Sequence, residues 1–133
     1  MKKTILISII PVLAIFLFIA AQSPTPAPVQ ITEDIDLGWP EDVMTLLDKA
    51  CFDCHTADAG NIKAKGSLNF SKWEGYKLTK KISKLNGISE EVKEKNMPPN
   101  KYIKKYPDNA LTDEEITVIT SWANAEADKL MEE

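Results

Sequence analysis

The chain has 133 residues, 44% of them apolar and 27% charged, with 16 lysines, no arginine, 20 acidic residues and a net charge of −4. That mix excludes a disordered chain and a protein of many membrane spans, and an acidic balance without arginine argues against nucleic-acid binding. Two cysteines and one histidine exclude a four-ligand Cys/His zinc finger, a multi-disulfide scaffold and any site that needs two histidines.

Met1-Lys2-Lys3 is a short positive start, and Thr4 to Ala21 then runs apolar, broken only by Ser8 and Pro11. This is the build of an export signal. Its length is also close to the ~20 residues of a spanning helix, so residues 1–22 read either as a signal peptide that is removed or as an N-terminal membrane anchor through residues 4–21. Both place the remainder outside the cytoplasmic membrane, in the periplasm. Residues 23–38 hold Ser23-Pro24-Thr25-Pro26-Ala27-Pro28, a stiff linker. Residues 39–133 are left for one domain, close to the lower limit for burying a useful core without help.

Pro40, Glu41 and Asp42 suit a helix start. Val43, Met44, Leu46, Leu47, Ala50 and Cys51 then recur at helical spacing. Asp58 to Ser67, polar and with two glycines, reads as loop. A second helix is expected from a Ser71 cap through Trp73, Tyr76, Leu78, Ile82 and Leu85, ended by Asn86-Gly87. Ser89 opens a short helix that Pro98-Pro99 terminates. Thr112 and Glu115 form a capping box, and Ile116, Ile119, Ala123, Ala127 and Leu130 make one stripe after it. No convincing strand pattern is present, so the fold class is all-α.

Cys51-Phe52-Asp53-Cys54-His55 is C-x-x-C-H, the attachment sequence for c-type haem. Two thiols at this spacing can add to the two vinyl groups of a porphyrin, and the next residue, His55, can then reach the iron. The other readings are a thioredoxin-like dithiol, which wants a βαβ setting, a plain disulfide, and zinc with a carboxylate such as Asp53 or Asp58 as fourth ligand. With no second histidine, methionine is the remaining common axial ligand. Met44 lies on the core face of its helix and Met131 at the chain end. Met97, stiffened by Pro98-Pro99, is the candidate, with core filling and a five-coordinate iron as the alternatives. Trp73, Trp122, Phe52 and Leu85 are candidates to pack on the haem or to form ordinary core. Tyr102 or a lysine of the middle segment could meet the propionates.

The order C-x-x-C-H, Leu68 to Trp73, Met97-Pro98-Pro99-Asn100-Lys101-Tyr102, Leu111-Thr112-Asp113-Glu114-Glu115 and Trp122 resembles the small exported c-type haem-binding domain family over about residues 39 to 130. The resemblance implies a cytochrome-c-like bundle of about four helices wrapped around one covalently bound haem c. It implies thioethers from Cys51 and Cys54, His55 as proximal iron ligand and Met97 as distal ligand. The expected function is one-electron transfer by a monohaem protein rather than enzyme catalysis, since no distal His or Arg is available to split a peroxide. The alternative is a ligand-binding, sensing or peroxidase-associated module with an open or labile sixth iron position. Residues 63–105 carry 12 lysines against four glutamates. They read as a solvated helical surface or as a basic face that docks an acidic redox partner.

Overall fold

The computed structural model describes residues 37–132. The export or anchor segment and nearly all of the proline-rich linker fall outside the described residues. Among the described residues the fold is helical, with no strand, and no helix is long and apolar enough to cross a membrane.

The chain enters α1 (Glu41–Leu47) at Pro40, whose carbonyl accepts the Met44 N–H at 2.9 Å. Glu41 and Asp42 stand in the first turn, where the helix dipole favours acids. A π-turn (Asp48–Phe52) and α2 (Asp53–His55) continue the helical run into the C-x-x-C-H motif. Next come α3 (Ile62–Ser67), a 3₁₀ turn (Phe70–Gly75), α4 (Leu78–Lys93), α5 (Asn100–Lys105), a second 3₁₀ turn (Pro107–Asn109) and α6 (Asp113–Met131).

The core is the packing of α4 along α6, with α1 also laid against α6. From α4 it takes Leu85, Ile88 and Val92, and from α6 Ile119, Ala123 and Ala127. Leu47, Leu85, Ile119 and Ala123 are fully buried. Met44 is part of this core, as its helical position suggested. The capping box forms as expected: the Thr112 Oγ1 accepts the Glu115 N–H, and the Glu115 carboxylate accepts the Thr112 N–H. Glu115 also takes Lys49 in a bidentate pair at 2.7 and 2.8 Å, which ties the π-turn to the start of α6. Burial pushes the Glu115 carboxyl up, but the Lys49 and Thr112 hydrogen bonds outweigh it and hold the group below its ordinary value.

Three expectations need correction. The helix expected from Ser71 is split: residues 70–75 form a 3₁₀ turn, and α4 starts only at Leu78. Ser71 does not cap it, because its Oγ accepts from the Ala57 N–H instead. Asn86-Gly87 does not end a helix either. α4 runs through it, because Leu85, Ile88, Ser89 and Val92 form one buried stripe, and packing outweighs the ~1 kcal/mol that an interior glycine costs. The segment read as loop contains α3, and α5 adds a further helix after the prolines.

Candidate functional site

Cys51, Cys54 and His55 stand at i, i+3 and i+4 of a continuous helical run, a spacing that puts side chains on one face. They line a cavity of about 310 Å³, and Met97 lines the same cavity from the far end of α4. The fold therefore brings together four residues that the sequence separates by up to 46 positions. No disulfide joins the two cysteines. Burial, and then the neighbouring Cys54, push the Cys51 thiol up to about 12. Among the described residues no strand flanks the motif, so it lacks the βαβ setting of a dithiol exchange centre. Among the described residues no three His, Cys, Asp or Glu side chains converge to hold a metal ion.

His55 is oriented by its backbone neighbours. Its Nδ1 lies 3.1 Å from the Ala64 carbonyl oxygen and 3.1 Å from that of Leu68. Carbonyl oxygens only accept, so Nδ1 carries the proton and Nε2 keeps the lone pair in the neutral ring. This is the arrangement of an imidazole ligand fixed by its outer hydrogen bond. Both carbonyls belong to α3 and its C-terminal cap. The Asn61 side chain caps that helix by accepting the Ala64 N–H at 3.1 Å. Asn61 was the available sequence signal, masked by the polar, glycine-containing segment around it.

Met97 is placed by the end of α4. The Lys95 N–H bonds the Val92 carbonyl at 3.0 Å and the Asn96 N–H bonds the Glu91 carbonyl at 2.9 Å. These are the two bonds of a Schellman motif, with Lys95 in the left-handed region at φ 58°. The Met97 N–H reaches the same Glu91 carbonyl at 3.1 Å. The backbone of Met97 is thus pinned to α4 itself. That helix supplies much of the cavity wall, including Ser83, Lys84, Gly87 and Glu91. A Cβ built on Gly87 meets nothing within 4 Å. Lys84 is half-buried at the wall, and its ammonium makes neither a hydrogen bond nor an ion pair among the described residues.

Tyr102 also lines the cavity. Its hydroxyl donates to the Asp53 Oδ2 at 2.7 Å and accepts from the Asn109 Nδ2 at 2.6 Å. Burial, then the bond to Asp53, raise this hydroxyl to about 12, so it stays a donor. The two tryptophans proposed beside it lie elsewhere. Trp73 is core and lines a separate cleft with Trp39, Glu74 and Lys81. Trp122 packs on Trp39 with ring centres 4.6 Å apart, and its indole Nε1 is buried without a hydrogen-bond partner among the described residues. Neither lines the motif cavity, because α6 and the 3₁₀ turn direct them into the aromatic cluster around Trp39. Leu85 is core, and Phe52 packs on Phe70, which does line the cavity.

Residues 60–125 match the family model of the haem-binding domain. The match supports a haem-binding domain family and with it a haem cofactor. It takes in Met97, Tyr102 and all of α4, and begins five residues after His55. The chain matches no curated protein and no solved structure. The residues that line the cavity fit such a group on structural grounds as well. The wall offers an imidazole with its proton committed to the backbone, a thioether, two thiols, a glycine that leaves the wall clear and one unpaired cation.

Proposed function

We propose that the chain is a monohaem c-type cytochrome-like carrier of single electrons, exported and held outside the cytoplasmic membrane. Cys51 and Cys54 carry the haem c through thioethers, His55 is the proximal iron ligand through Nε2, and Met97 is the distal one. The observation that carries this reading is one cavity lined by the two thiols, by an imidazole whose Nδ1 proton is bound to carbonyls, and by a thioether. When bound, the haem supplies a one-electron couple, which methionine ligation shifts to higher potential.

The chain's own residues do the rest. The Ala64 and Leu68 carbonyls hold the His55 ring in one tautomer. The Schellman turn sets the Met97 backbone. Lys84 is the cation available to a haem propionate, which is costly to bury unpaired. The lysines of residues 63–105 form the face for an acidic redox partner, which they would steer by long-range attraction. The cytochrome-c-like wrapping of the helices around the haem belongs to the same proposal.

The test is the intact mass and optical spectrum of protein from a host that matures c-type haem. One haem attached, no alkylatable thiol, and a ferric thioether charge-transfer band that vanishes in Met97→Ala are the expected results. Colourless protein with both thiols free would overturn attachment. A spectrum unchanged by Met97→Ala, or rapid carbon monoxide binding by the ferrous wild type, would instead favour an open sixth position and a ligand-binding role.

A further inference from the structure

The segment that follows Met97 is weakly held. α5 contributes no buried residue and packs chiefly on the 3₁₀ turn next to it in sequence. Six residues are far too few for a helix to be stable alone. Among the described residues, the hydrogen bond that carries residues 98–109 to a distant part of the chain runs from the Tyr102 hydroxyl to the Asp53 carboxylate, across 49 positions of sequence. Asp53 lies between the two cysteines of the motif. The Asn109 amide, donating to the same hydroxyl at 2.6 Å, leaves the hydroxyl proton to Asp53.

We propose that Tyr102 and Asp53 form a clasp that holds the Met97 segment against the haem-attachment helix and so keeps the thioether on the iron. Tyr102 is a positioning residue here, acting through the segment it anchors. The inference rests on Met97 being the distal ligand. At its upstream end Met97 is fixed by the Glu91 carbonyl. Downstream, the chain is not tied to the motif helix by any other hydrogen bond among the described residues until Glu115 meets Lys49. Opening the clasp frees the stretch between these two anchors, and an external ligand can then compete for the iron.

The experiment is imidazole binding to the ferric, haem-loaded protein, with the thioether charge-transfer band read in the same samples. The bond is exposed on its Asp53 side, so its loss should tighten apparent imidazole binding by roughly 2- to 5-fold. Tyr102→Phe and Asp53→Ala should each do this, and the double variant should add little to either. Asp53→Asn, whose amide oxygen still accepts, should stay near wild type. The Asp53→Asn and Asp53→Ala pair carries the test on its own if Tyr102→Phe does not accumulate. Wild-type imidazole affinity in either deletion, or fully additive effects in the double variant, would overturn the clasp. Met97→Ala separates the two failures. If it binds imidazole no tighter than wild type, the distal assignment of Met97 fails. If it binds far tighter while Tyr102→Phe does not, only the clasp fails.

Discussion

Gly87 offers the sharpest test of the cavity. It sits inside α4, lines the cavity, and a Cβ built on it would meet no atom within 4 Å beyond its own helix backbone. Glycine at an interior helical position costs ~1 kcal/mol relative to alanine, so Gly87→Ala should stabilise the purified chain by about that much. For a domain of this size the corresponding rise in melting temperature is about 4 to 8 °C, readable by far-ultraviolet circular dichroism. Gly87→Phe recovers part of the same propensity gain but drives a ring into the space the porphyrin would need. The fraction of chains carrying haem, measured by intact mass after maturation, should fall steeply for Phe and little for Ala. Full haem attachment in Gly87→Phe would refute the assignment of this cavity to the haem. A loss of stability in Gly87→Ala would refute the reading that a Cβ at this position stands in open space.

Other outcomes follow from the same structure. Lys95→Gly should raise stability by about 1 kcal/mol in urea titrations, since it relieves a left-handed residue; the pair that Lys95 forms with Asp113 is exposed on both sides and contributes little. Glu115→Gln should lose stability at neutral pH relative to wild type. Because the folded carboxyl lies below its ordinary value of 4.5, the wild-type advantage should be complete above that value and vanish as the pH falls through the folded one. Ile119→Ala should cost about 2 to 5 kcal/mol in a urea titration, as a fully buried side chain between α4 and α6.

What the sequence determined is local. The C-x-x-C-H spacing, the acidic start of α1, the Thr112 and Glu115 cap and the apolar stripe of α6 are each written within one or two helical turns, because side chains three and four apart share a face. Met97 was legible as a candidate by elimination among four methionines. The tertiary structure decided everything that joins distant segments. Packing against α6 carried α4 through Asn86-Gly87 against local preference, and it sent Trp73 and Trp122 to the cluster around Trp39 rather than to the cavity. α3, invisible in a polar stretch, delivers the carbonyls that hold His55. The bond from Tyr102 to Asp53 spans 49 positions. No periodicity encodes such a contact, because it exists only once the helices between the two residues have folded and turned the chain back on itself.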